Sequence, residues 1–118
     1  MASTLSNLKG RAGIYAIVNI VTGRFYIGCT TDFYKRRSHY ASAFRGSAWC
    51  NFALKTDVKK YGTSSFVFRI IEEIDSLEVV QPGFLSALED AYLNAASVDD
   101  VYNYTHRRIL KKKQNTDL

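Results

Sequence analysis

Glu89, Arg36 and three tyrosines, Tyr15, Tyr26 and Tyr40, are the side chains of this chain best suited to chemistry. Glu89 falls in a helical pattern four residues after Leu85 and four before Leu93, so it borders an apolar stripe, while Asp90 shares the polar face with Ser86 and Asn94. A carboxylate drawn out of water is costly unless a cation or an arginine compensates it. Periodicity alone slightly favours a partly exposed Glu89 paired with a base over a metal site. Arg36 sits in the run Lys35-Arg36-Arg37. A fixed guanidinium matches the non-bridging oxygens of a phosphate in a way that an ammonium does not, although most such runs are solvated basic turns. Tyr15 and Tyr26 read either as strand aromatics filling a core or as proton-handling phenols. A free phenol, with a pKa of about 10, accepts a proton near neutrality only if positive charge stabilises the phenolate.

Elements must bring these groups together. Residues 14–20 and 25–29 read as two strands, with Thr22-Gly23 offering a two-residue hairpin turn. That loop would set Val21 opposite Arg24, Asn19 opposite Tyr26 and Tyr15 opposite Thr30. Period-two alternation then puts Tyr15, Ile17, Asn19, Tyr26 and Gly28 on one face, provided that no bulge intervenes. Asp32 is a candidate N-cap for a helix over 33–44, on which Arg36 and Tyr40 stack at i and i+4. A second helix is expected over 51–61, with Leu54, Val58 and Tyr61 inward, Lys55 and Lys59 outward, and Gly62 ending it. Alternation over 65–71 gives a third strand, Phe66, Phe68 and Ile70 on one face and Val67, Arg69 and Ile71 on the other. Pro82-Gly83 precedes a third long helix over 84–96 with a predicted buried stripe of Leu85, Leu88, Tyr92 and Ala95 or Ala96. Residues 106–114 suit a short basic helix or a tail. The fold class is therefore α/β (α+β), with three strands and three or more flanking helices.

At 118 residues and 47% hydrophobic, the chain reads as one domain able to bury a core. The expected division is a single domain over 1–105 and a basic C-terminal segment over 106–118. No stretch approaches a membrane span, and residues 1–10 lack the apolar run of a signal peptide. Cys29 and Cys50 stand at no recognised spacing, so both are read as free thiols and the protein as intracellular. A zinc site from Cys29, Cys50, His39 and His106 would lack any C-x-x-C unit. Charge comes in blocks. Residues 33–69 hold eight Lys or Arg and one acid, 72–100 hold eight acids and no base, and 107–113 hold five bases, within a net charge of +5. Solvated surface charge explains the net value; the blocks suggest a basic face for a polyanion beside an acidic region for a cation.

Gly13-Ile14-Tyr15 and Tyr26-Ile27-Gly28, followed in order by Arg36 with Tyr40, Glu89 with Tyr92-Leu93, and Tyr102-Asn103, resemble the signature of the GIY-YIG nuclease family over residues 13–104. The resemblance implies the family's fold, with the third strand pairing with the first two, and a metal-dependent endonuclease that hydrolyses DNA phosphodiesters by water attack. It implies that Glu89 holds one Mg²⁺ or Mn²⁺ and that Arg36 steadies the charged phosphate. Tyr15 would take a proton from the attacking water, with Tyr26 orienting that water or the phosphate. Tyr40 occupies the position where related nucleases carry His or Tyr. His39, one residue early, departs from the pattern and reads as a surface or phosphate-contacting residue. Gly28 would let the phosphate approach the sheet, and Asn103 would brace the site. Lys35, Arg37, Lys55, Lys59, Lys60, Arg107 and Arg108 are candidate DNA contacts. Lys60-Tyr61-Gly62 with Phe66 also resembles the phage-type homing endonuclease branch. Trp49 fits a mobile loop near DNA or a core anchor.

The rival to a nuclease is a catalytically silent DNA-binding or scaffolding protein of the same fold. These residues leave no room for a separate target-recognition domain, so specificity is expected from the nuclease domain, the basic segment, a homodimer or a partner protein.

Overall fold

The computed structural model describes residues 10–45, 51–75 and 81–103. Three strands, β1 (Ala12–Asn19), β2 (Phe25–Thr30) and β3 (Phe66–Ile74), form one antiparallel sheet in the order β2-β1-β3. Three helices, α1 (Phe33–Phe44), α2 (Phe52–Tyr61) and α3 (Phe84–Ala95), cover it, and a 3-10 turn (Thr63–Ser65) leads into β3. The third strand pairs with the first but not with the second. Arg107, Arg108, His106, Trp49 and Cys50 lie outside the described residues, as does the basic C-terminal segment. No helix among the described residues is long and apolar enough to cross a membrane.

The central strand β1 is buried almost throughout because both of its faces are covered. On one face Tyr15 and Ile17 pack with Phe33, Tyr40, Leu54, Val58, Phe66 and Tyr102. On the other, Ile14 and Ala16 pack with Ile27, Leu93 and Val101. The sequence expectation of a common face for Tyr15, Ile17, Tyr26 and Gly28 fits these two clusters, but the register behind it does not hold. Tyr15 stands opposite Gly28 and Ile17 opposite Tyr26, a shift of two residues from the two-residue-turn pairing. The turn is longer: Asn19 pairs with Arg24 through its N–H (2.8 Å), and the Gly23 N–H returns to the Asn19 carbonyl (2.8 Å). The cause is the Asn19 side chain, whose Oδ1 accepts from the Val21 and Thr22 N–H groups and so replaces a tighter turn. An even shift preserves which side chains share a face.

Helix boundaries follow local chemistry. Asp32 Oδ1 accepts from the Lys35 N–H at 3.1 Å and Asn51 Oδ1 from the Leu54 N–H at 2.9 Å, each capping a helix start. Gly62, at φ 88°, closes α2. On α2, Leu54 and Val58 are buried as expected, while Tyr61 is only half-buried. The stripe predicted for α3 is corrected. Its buried residue is Leu93; Leu85, Leu88 and Tyr92 are half-buried and Ala95 is exposed. The helix lies on edge strand β2 and the segment at Val101, which turns the face one residue past Tyr92 inward. β3 also runs three residues further than predicted, to Ile74, and its pairing with β1 slips at Ile14/Tyr15, leaving Ile71 41% exposed.

A buried polar chain ties the hairpin to α2. Asn19 Nδ2 donates to the Tyr102 hydroxyl (3.2 Å), which donates to Asp57 Oδ2 (2.7 Å). Burial and then the Asp57 acceptor push the Tyr102 phenol up to about 12. An unfolded tyrosine titrates near 10, so the folded state holds this proton more tightly. The associated stability is complete below about pH 10 and is lost as pH rises towards about 12. Melting temperatures followed into that range should fall, and Tyr102→Phe should flatten the fall while costing about 1–3 kcal/mol at neutral pH, because buried Asn19 loses its acceptor.

Candidate active site

The sheet presents Tyr15 and Tyr26 on the face covered by α1. Tyr15 is 2% exposed. Its ring stacks on Phe68 with centroids 5.0 Å apart, and its hydroxyl lies 3.0 Å from that of Tyr40. Tyr26, half-buried, meets the Tyr40 ring at 6.2 Å. Gly28 explains how the Tyr15 ring fits: a Cβ there would overlap Tyr15 Cζ and Oη. The bare position is filled by the phenol of the residue opposite, rather than left open to a phosphate as the sequence suggests.

Arg36 is half-buried on α1, one turn before Tyr40. Glu89 is half-buried on α3, one turn before buried Leu93. Its carboxylate acts on the Cys29 thiol at the end of β2. Electrostatics link these charges to two titrating groups. Burial pushes the Tyr15 phenol above the ordinary tyrosine range; its hydrogen bond with Tyr40 and the Arg36 charge oppose that rise, while Tyr26 and Glu89 add to it. Burial, then the charge and hydrogen bond of Glu89, push the Cys29 thiol up to about 11, against the same Arg36. The fold therefore places Tyr15, Tyr26, Arg36, Tyr40 and Glu89 around one locality at the edge of β2. His39 is exposed and touches the cluster only through the edge of the Tyr40 ring, at 5.8 Å.

Asn103 acts on the backbone between Tyr26 and Gly28. Its Oδ1 accepts from the Ile27 N–H (2.8 Å) and its Nδ2 donates to the Ile27 carbonyl (2.6 Å). With the bonds from Phe25 N–H to Asp100 O and from Tyr102 N–H to Phe25 O, the 100–103 segment completes the outer edge of β2 as a short parallel strand would. Asp57 escaped sequence reasoning, as did the place of Cys29 beside Glu89, of Asn19 in the polar chain and of Asn51 as a helix cap. Asn51 Nδ2 donates to the Tyr102 carbonyl (2.9 Å), and nothing in its spacing announces that. Lys35, Arg37, Lys59 and Lys60 are exposed and Lys55 is half-buried.

Among the described residues no group of three or more His, Cys, Asp or Glu side chains could enclose a metal. Of the four residues of the zinc reading, Cys50 and His106 lie outside the described residues, and His39 is exposed on α1. Glu89 alone suits a different cation. One hard carboxylate oxygen, with remaining positions left to water and phosphate oxygens, is how Mg²⁺ is commonly held.

Residues 11–98 match the GIY-YIG catalytic domain family. The chain belongs to the GIY-YIG family. A probable intron-encoded endonuclease 1 of Neurospora crassa is 33% identical over 98 residues, which cover 82% of this chain and 31% of that protein. The chain thus spans about a third of that relative's length. The catalytic domain of the homing endonuclease I-TevI superposes with a TM-score of 0.69 at 23% identity, covering 80% of this chain and 98% of that one. A mutant of the same domain gives 0.68 at 23% identity, over 79% and 92%. The GIY-YIG fold read from the sequence is thereby shown.

Proposed function

We propose that this chain is the catalytic domain of a divalent-metal-dependent endonuclease that hydrolyses DNA phosphodiesters by water attack. The observation that carries the proposal is the meeting of two phenols, a guanidinium and a carboxylate from α1, α3 and two strands at one locality. A silent binding protein has no need of that meeting. The family and its endonuclease relatives support the same conclusion.

Glu89 would hold one Mg²⁺ or Mn²⁺. Such a cation, when bound, supplies Lewis-acid stabilisation to charge growing on the phosphate and on the departing oxygen. Arg36 holds a non-bridging oxygen and gains strength as that oxygen becomes more negative. Tyr26 orients the attacking water, and Tyr15 takes its proton while Tyr40 fixes the Tyr15 hydroxyl. Burial raises the Tyr15 pKa, yet it also excludes the water that would screen neighbouring charge, so each positive group beside it counts for more. Arg36 already acts in that direction. Asn103 keeps the Tyr26–Gly28 backbone in register. Lys35, Arg37, Lys55, Lys59 and Lys60 supply sequence-independent phosphate contacts whose strength falls with salt. A homodimer, a partner protein or other parts of a longer chain would choose the target.

Two experiments test this. Supercoiled plasmid should be nicked in Mg²⁺ and left intact in EDTA; equal product in both would overturn the proposal. Tyr15→Phe should cut about 10²- to 10⁴-fold more slowly, while costing about 1–3 kcal/mol of stability because the buried Tyr40 hydroxyl loses this partner. Because the base must be deprotonated and its pKa is raised, wild-type rate should climb from about pH 6 to about pH 9, and the climb should vanish in Tyr15→Phe. A flat wild-type profile would remove Tyr15 from that role.

A further inference from the structure

A cleft of about 440 Å³ lies between α1 and the outer edge of β3, within the range of small-ligand pockets. Tyr40, Phe44, Phe66 and Phe68 give it an aromatic floor, and Arg37 stands on its rim. Arg37 is exposed, and among the described residues no carboxylate pairs with it. Arg37, Tyr40, Ala41 and Phe44 follow at i, i+3, i+4 and i+7, so one face of α1 forms the wall. Tyr40 is common to this cleft and the candidate active site, where its hydroxyl meets Tyr15. Arg36, one residue before Arg37 and about 100° away around the helix, serves the other side.

We propose that this cleft receives a nucleobase unstacked from the DNA beside the phosphate being cut, with Arg37 on the flanking phosphate. The inference rests on the nuclease reading above. An occupant that is flat and apolar in its body and anionic at its margin matches an aromatic floor with a guanidinium on its rim. An apolar peptide strand added along β3 would use the floor but would leave Arg37 without a counter-charge. A base placed here would hold the adjoining phosphate at Tyr15 and Arg36, and DNA steps that unstack cheaply would be favoured as substrate.

The test uses two duplexes in EDTA, identical except that one carries a single bulged 2-aminopurine, a fluorescent base already out of the stack. Wild type should bind the bulged duplex about tenfold more tightly, as expected of base–aromatic stacking, with 2-aminopurine fluorescence quenched on binding. Ala41→Trp fills the cleft from an exposed helix position and should bring the ratio to one with the perfect duplex still bound. Arg37→Ala, at an exposed helix position, should lower the same preference if Ala41→Trp does not fold. No preference in wild type, or a preference that survives Ala41→Trp or Arg37→Ala, would overturn the proposal and leave the cleft to a peptide segment or to packing. Plasmid nicking in Mg²⁺ reports separately: a chain that nicks without the preference loses the cleft proposal and keeps the nuclease.

Discussion

Glu89→Ala should lower plasmid nicking about a thousandfold or more. Glu89 is the carboxylate at the meeting point, and its negative charge already registers on both Tyr15 and Cys29. Removing it deletes the proposed cation ligand, and with it the counter-charge for the phosphate, whose loss elsewhere costs 10²–10³-fold even for a single neutral donor. Glu89→Gln is the sharper comparison. It keeps the shape and an acceptor for the Cys29 thiol, and it should be nearly as inactive because only the charge is gone. Asp90, exposed on the next helix position, raises the Cys29 pKa more weakly and provides a control expected to stay within severalfold of wild type. Single-turnover nicking rates with Mg²⁺ in excess decide the matter. A Glu89→Ala rate within threefold of wild type would remove the metal site from Glu89 and return the silent-protein rival.

How far the sequence carried this picture depends on what kind of information each feature needs. Asp32 and Gly62 act through backbone groups three or four residues away, so the start of α1 and the end of α2 were legible, whereas Asn51, read as the first residue of α2, is its cap. The common face of Tyr15, Ile17, Tyr26 and Gly28 was legible because alternation survives any even shift of register. The register itself was not, since it depends on Asn19 turning its side chain back onto the loop while reaching Tyr102, 83 residues later. The α3 stripe illustrates a related limit. Leu85, Leu88 and Tyr92 gave a regular pattern, but the helix meets an edge strand and the Val101 segment, and that partner selects Leu93. Gly28 could be read as open space, whereas the Tyr15 ring fills it; only cross-strand pairing reveals the occupant. The aromatic cleft was invisible for the same reason, because Phe66 and Phe68 meet Tyr40 and Phe44 only after β3 crosses to the far side of β1.

Gly13→Ala should be the most damaging substitution for stability, by about 3 kcal/mol or more. Gly13 sits in the central strand at φ 152°, a conformation L side chains rarely adopt, with a penalty of order 1–3 kcal/mol. A Cβ there would overlap the Glu72 carbonyl oxygen, with Glu72 C and Glu73 Cα at 3.0 Å. These are backbone atoms of the paired strand, next to the register slip between Ile14 and Tyr15, so no side chain can swing aside to relieve them. Relief requires β3 to move, and β3 carries Phe66 and Phe68 into the face that holds Tyr15. For a domain of this size the loss corresponds to a fall in melting temperature of about 10–20 °C, against a total stability of about 5–15 kcal/mol. Gly23→Ala separates the two causes. Gly23 also has a positive φ, 81°, but nothing lies within 4 Å of its Cβ position, so only the conformational penalty of about 1 kcal/mol remains. Thermal melts of the two variants side by side should differ by several degrees or more in that order. Equal shifts would mean that φ alone makes glycine necessary at position 13, and that the close approach of β3 is not what its missing side chain permits.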